Sequence, residues 1–264
     1  MTYSDYEKQI QSATAFSIAA AWSQGRSAFG GLTAALVLAH IESQEHLSDR
    51  DLCTINIHFC GPTIADEPCE FRHKVLSKGK SVMQVEGQLF QNGEVKTQII
   101  ACFGVQRFGT LVVTPNIKVL PEKSLPVPFI AQLMPEFVQH LDMKYTSEHM
   151  PFSGSSEARV SGWVRFVEPP SAFTDAALVA LIDAWPPAVL PMLERVAPSS
   201  SITWNIEFLN PRAELNASDY IYYECEAVQA AVGYAHTEAK IYNQNGQLMA
   251  LSRQMVGVYE KKLT

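Results

Sequence analysis

Two stretches of this chain, about 149 residues apart, repeat one pattern of apolar, amide and turn residues, and this repeat limits the possible folds more than any other feature. Ile55-Asn56-Ile57-His58-Phe59-Cys60-Gly61-Pro62 corresponds to Trp204-Asn205-Ile206-Glu207-Phe208-Leu209-Asn210-Pro211. Farther along, the run from Gly87 to Val95 corresponds to the run from Ala239 to Leu248. In each copy an Asn-Gly pair, Asn92-Gly93 or Asn245-Gly246, separates two strand-like runs. Asn-Gly supplies the positive φ angles that a tight turn demands, so each copy predicts a β-hairpin.

Upstream of each set of strands lies one helix-like run, from Phe29 to Glu42 and from Phe173 to Trp185, apolar almost all the way round. A helix of that kind has to be buried. Ser171 or Thr174 offers a cap for the second, and Pro186-Pro187 stops it. A short strand candidate precedes each helix, Ala15 to Trp22 and Ala158 to Phe166. The order strand, helix, then about four strands thus occurs twice, and one buried helix per antiparallel meander requires a sheet curved enough to wrap it. Between the copies, residues 109–156 carry six of the fifteen prolines and end in Ser153-Gly154-Ser155-Ser156. That composition predicts a connector, with one short helix around Ile130 to Leu141 interrupted at Pro135. The division expected is therefore 1–108, a connector over 109–156, and 157–264.

Composition removes several function classes. A hydrophobic share of 47% with 18% charged residues describes a globular chain, and no apolar run reaches the length of a membrane-spanning helix. The net charge of −7, without a basic stripe, argues against nucleic acid as a partner. The N-terminus lacks the basic start and apolar stretch of a signal peptide, so a cytoplasmic location is expected. Cys53, Cys60, Cys69, Cys102 and Cys225 are odd in number and never spaced Cys-x-x-Cys, which disfavours a disulfide framework and a zinc knuckle. His58, His73 and His236 lack a second ligand at metal spacing, so no metal is expected. Ser77-Lys78-Gly79-Lys80-Ser81 lacks the upstream glycine of a phosphate-binding loop and predicts a hairpin turn.

The residues quoted, together with Phe29-Gly30-Gly31, the run Ser201 to Phe208 and the run Asn245 to Gln254, resemble the double hotdog thioesterases of the acyl-CoA thioesterase II type. The resemblance covers nearly the whole chain. It implies an α+β double hotdog, two fused units each with a long central helix wrapped by a curved antiparallel sheet. It also implies hydrolysis of fatty acyl-CoA to free acid and CoA, with no cofactor. The family's acid, hydroxyl and glutamine fall on Asp183, Ser201 and Gln254, with Ser200 or Thr203 as alternatives for the hydroxyl. In the first copy the matching positions are Ala39 or His40, and Ala101, so one of the two related sites is equipped. Assembly of whole chains into a homo-oligomer stays open.

These side chains suit the chemistry. A thioester needs a group that deprotonates water and donors aimed at the oxygen where negative charge accumulates. Asp183, in an apolar run, is costly to desolvate, and burial raises its pKa toward that of a useful base. Ser201 and Gln254 can each donate and accept hydrogen bonds and so fix the water. Gly30-Gly31 opens the first helix with unpaired N–H groups and no β-carbon, and we assign the Gly31 N–H to the thioester carbonyl. Each residue also has a plainer reading: an exposed helix end for Asp183, a turn for Ser201, a solvent-facing strand position for Gln254, close packing for the glycines. Two rival functions remain, a non-catalytic acyl-CoA or lipid-binding protein and an enoyl-CoA hydratase, the latter lacking an acid beside His40.

Overall fold

The computed structural model describes residues 1–12, 16–213 and 215–260, with the side chains of 11 and 12 excepted. The chain begins with α1 (Tyr3–Ser12), followed by short strands β1 (Phe16–Ser17), β2 (Ser23–Gln24) and β3 (Ser27–Ala28). Helix α2 (Gly30–Gln44) precedes β4 (Asp51–Phe59), β5 (Pro68–Lys78), β6 (Val82–Gln91) and β7 (Glu94–Gly104). After β8 (Leu125–Val127), β9 (Leu141–Tyr145) and β10 (Arg159–Phe166) comes α3 (Asp175–Ile182). The chain closes with β11 (Ser199–Phe208), β12 (Ile221–Ala231), β13 (Tyr234–Asn243) and β14 (Leu248–Val258).

Twelve strands form one sheet in the order β1-β5-β6-β7-β4-β11-β14-β13-β12-β10-β9-β8, antiparallel throughout. The two copies of the repeat meet at β4 and β11, where Asn56 lies directly opposite Asn205. The Asn205 amide donates to Asn56 Oδ1 at 3.0 Å. Repeat-related asparagines thus face each other, as a local two-fold relation requires.

Helix α2 packs on β5, β6 and β7 and against α3, and a single core runs through both halves. Leu32, Leu36, Val37, Leu38 and Ile41 are completely buried, as an all-round apolar run demands. The second helix is shorter than expected, eight residues against fifteen in α2. Thr174 caps it, its hydroxyl accepting the Ala177 N–H at 3.0 Å. It stops at Asp183, because Pro186 disfavours a helical Trp185 and the Ala184 N–H turns back to Leu181 O.

Helix α1 precedes the strand expected from Ala15 to Trp22, in residues where no element was expected. Its signal was a reciprocal cap: the Thr2 N–H donates to Asp5 Oδ2 at 2.8 Å and the Asp5 N–H to Thr2 Oγ1 at 3.2 Å. Tyr3 stacks on Phe166, and Tyr6 packs against Phe16 and Trp22. The strand expected from Ala15 to Trp22 is confined to Phe16–Ser17, with a 3₁₀ turn at Ala20–Trp22; Ala15 lies outside the described residues. The proline-rich stretch supplies β8 and β9 to the sheet, and its 3₁₀ turn begins only after Pro135, at Glu136–His140. Phe137 of that turn stacks on Phe29 at 4.0 Å, so the connector is fastened over the start of α2. Ser77 to Ser81 is a hairpin turn closed by Gly79 N–H to Val82 O at 2.8 Å.

Candidate active site

Asp183 caps the C-terminal end of α3, and the start of α2 packs directly against it. A β-carbon built on Gly31 would lie 2.7 Å from Asp183 Cβ and 2.9 Å from Ala180 O. Only a glycine allows the two helices this close. The Gly31 N–H, which has no partner within its own helix, lies on the carboxyl side of Asp183 and favours its charged form.

On the other side, Gln254 Nε2 donates to Asp183 Oδ1 at 2.9 Å, and Gln254 Oε1 accepts from Ser201 Oγ at 2.9 Å. The three residues therefore form one chain from hydroxyl to amide to carboxylate. A bulge makes this possible. Between Ser201 and Thr203 the pairing of β11 with β14 slips by one residue, and the extra residue turns Ser201 onto the core face that Trp204 and Gln254 occupy. Thr203, adjacent to buried Trp204, points to the opposite face. Ser200 Oγ bonds instead to Tyr259 Oη at 3.2 Å. Of the three hydroxyls, Ser201 is the one joined to Gln254.

Burial raises the Asp183 pKa to about 7, against the smaller opposing pull of the Gln254 hydrogen bond and the nearby Gly31 N–H. Asp183 is nevertheless only half-buried as a residue, as are Ser201 and Gln254. Gly30 stands at the same place: its β-carbon would lie 3.1 Å from both Asp183 Oδ2 and the tip of the Phe59 ring. Phe59, which sequence reasoning did not single out, covers the carboxylate from the end of β4.

The repeat-related positions carry no such chain. Gln254 pairs with Trp204 as Ala101 pairs with Ile55, so alanine replaces the amide. His40 reaches away, its Nε2 lying 3.1 Å from His73 Nδ1, while His73 Nε2 lies 3.3 Å from Glu45 Oε1. Among the described residues the side-chain hydrogen-bond partner of His40 is His73. Among the described residues no cluster of His, Cys, Asp and Glu is arranged to hold a metal, and no helix is long and apolar enough to cross a membrane. A cavity of about 510 Å³ lies over the β4–β11 junction, lined by Asn56, His58, Trp204, Asn205, Arg253 and Gln254 among others. Asn205 faces away from the side that buries Trp204 and Ile206.

Known proteins agree with this architecture. The solved hot dog fold protein of unknown function from Alicyclobacillus acidocaldarius is 23% identical, with a TM-score of 0.79 over 94% of this chain and 93% of that one. A putative thioesterase II from Thermobifida fusca YX is 16% identical, with a TM-score of 0.76 over 93% and 92%. The acyl-CoA thioesterase II TesB2 from Mycobacterium marinum is 17% identical, with a TM-score of 0.72 over 98% and 99%. At these identities the likeness shows a shared hotdog fold. No curated protein matches the chain in sequence. The family description for the acyl-CoA thioesterase N-terminal domain matches residues 18–104 and that for the acyl-CoA thioesterase C-terminal domain matches residues 121–258. With both halves matched in order along one chain, this protein belongs to the acyl-CoA thioesterase family.

Proposed function

We propose that this protein is a double hotdog enzyme that hydrolyses acyl-CoA thioesters to the free acid and CoA through a water activated by Asp183. The observation that carries the reading is the chain Ser201 to Gln254 to Asp183, ending on a carboxyl whose pKa burial lifts to about 7. A base with that pKa is ionised in useful amount at neutral pH and still strong enough to take a proton from water in the transition state. As the water oxygen bonds to the carbonyl carbon, its proton passes to Asp183. The C–S bond then breaks, and the CoA thiolate leaves and takes up a proton from Asp183. Ordinary thiols ionise near pH 8.5, so the thiolate is a good leaving group that needs little help.

Ser201 and Gln254 act in this scheme by position. The Ser201 hydroxyl holds Gln254 Oε1, which forces Nε2 to face Asp183 and fixes which carboxylate oxygen stays free for water. Ser201→Ala is expected to lower kcat by roughly tenfold, and Gln254→Ala by roughly 100-fold, as orienting groups of this kind do. Ser201→Thr, which keeps the hydroxyl, should retain most of the activity. Equal rates for Ser201→Ala and wild type would remove the hydroxyl from the mechanism.

The pH dependence follows from the same carboxyl. The ionised form is the active one, so kcat/KM should rise with pH, inflect near 7 and level off above it. Release of CoA thiol from a panel of acyl-CoA esters, measured across pH 5–9, tests both points. Binding of acyl-CoA without any thiol release would instead identify a non-catalytic acyl-CoA-binding protein. A pH-independent rate would show that Asp183 is not the base.

A further inference from the structure

Of the two carboxylate oxygens of Asp183, Oδ1 is taken by Gln254 Nε2 at 2.9 Å, which leaves Oδ2 for a water. We propose that Phe59 is a positioning residue for the reaction: its ring is the wall that keeps bulk water off Asp183 Oδ2, supplied by the N-terminal half to an acid carried by the C-terminal half. The proposal rests on the hydrolase reading above.

The geometry places ring and oxygen at one point. A β-carbon on Gly30 would lie 3.1 Å from Asp183 Oδ2, 3.1 Å from Phe59 Cζ and 3.2 Å from Phe59 Cε1. The free oxygen and the ring tip thus border the same small space, which stays open because residue 30 has no side chain. Phe59 reaches it because of where β4 runs. Ile55 and Ile57 are buried, and Phe59 follows them on the same face of the strand that joins the two halves of the sheet. The strand ends there, and the Cys60 N–H donates to Lys96 O at 2.8 Å, which fixes the backbone beside the ring. Phe59 itself is partly buried and packs on the core.

The repeat supplies a comparison. Phe208 is the counterpart of Phe59, but in the first copy the position matching Asp183, Ala39 or His40, carries no carboxyl. The Phe208 ring instead carries the Arg212 guanidinium, 4.7 Å from its centroid and ion-paired with Asp175. A ring at the end of the junction strand occurs in both copies, and Phe59 is the one that stands over an acid.

The groups around Asp183 are Gly30 and Gly31 of α2, Phe59 of β4, Gln254 of β14, and Tyr223 of β12, whose pKa the Asp183 charge helps to raise. None of them is charged at neutral pH, since burial keeps the Tyr223 hydroxyl protonated. Asp183 therefore owes its raised proton affinity to burial, and Phe59 is the apolar side chain at its free oxygen. Opened to bulk water, the carboxylate would return toward ordinary acidity and take a proton from water less well.

The test follows thiol release from acyl-CoA against pH, with the full-length protein. Phe59→Ala should move the inflection of kcat/KM down from near 7 by at least about one pH unit and lower the plateau roughly tenfold. Phe59→Tyr keeps the ring and sets a hydroxyl on Cζ, the atom that borders Oδ2. A donor there favours the ionised carboxyl, so the inflection should again move down. This near-isosteric variant carries the test if Phe59→Ala fails to fold. Phe208→Tyr, the same change on the related ring, should leave the inflection where it is. An inflection that stays at the wild-type pH in folded Phe59→Ala or in Phe59→Tyr would overturn the proposal, as would one that moves equally far in Phe208→Tyr. Wild type that releases no thiol from any acyl-CoA would instead overturn the hydrolase reading itself.

Discussion

Asp183→Asn is expected to abolish thioester hydrolysis, by at least ~100-fold in kcat/KM, while making the protein more stable at pH 8. The loss follows from removing the carboxylate that the proposed mechanism uses to take a proton from water. The gain in stability follows from the sign of the pKa shift. In the folded protein Asp183 titrates at about 7, above the 3.8 of the free side chain. Between those values the folded state holds a proton that the unfolded state has released, so stability falls as pH rises from about 4 to 7, and the whole cost is present above 7. At ~1.4 kcal/mol per pH unit the cost reaches up to about 4 kcal/mol.

Asparagine removes that charge and can still satisfy every partner. Its Oδ1 can keep accepting from Gln254 Nε2, which leaves the bond between Ser201 and Gln254 as it stands. Melting curves at pH 5 and pH 8 check the argument. The variant should melt several degrees higher than wild type at pH 8 and close to it at pH 5. Equal melting at both would mean that the buried charge costs nothing, and the basis for an activated carboxylate would go with it.

Much of the fold could be read from the repeat because turns and buried helices leave local marks. Asn92-Gly93 turns with both residues at positive φ, as its sequence predicts. At Asn245-Gly246 only the glycine does, and Lys118 of the connector packs so closely that a β-carbon on Gly246 would meet Lys118 O. The turn joining β12 to β13 escaped the same reasoning, since Val232 takes a positive φ ahead of Gly233 and valine rarely signals such a turn. Strands β8 and β9 were hidden by the prolines around them, tolerated here because both strands lie near the edge of the sheet. For the candidate site, the residue types were legible but their convergence was not. It depends on a bulge at Ser201–Thr203 and on a helix crossing at Gly31, and neither leaves a periodic trace.

That crossing yields the second large effect: Gly31→Ala should lose activity by at least ~100-fold, the scale set by misplacing a reacting group by about 1 Å, and should destabilise the protein as well. In an open helix alanine would be favoured over glycine by about 1 kcal/mol. Here the new methyl meets Asp183 Cβ at 2.7 Å and the backbone oxygen of Ala180 at 2.9 Å, and neither is the end of a flexible chain. Its third neighbour, the Phe29 ring tip at 2.5 Å, is stacked on Phe137 and cannot swing away without lifting the connector. Helices α2 and α3 must therefore part, at a cost of roughly 1–3 kcal/mol typical of overpacking. Asp183 then shifts with the end of α3, and Gln254 loses the fixed carboxylate to which it donates. Activity and melting temperature should fall together in this variant, whereas in Asp183→Asn they move in opposite directions. Measured on the two proteins at pH 8, that contrast separates a base that has been removed from a base that has been displaced, and a Gly31→Ala protein as stable and active as wild type would show that the helix crossing does not position Asp183.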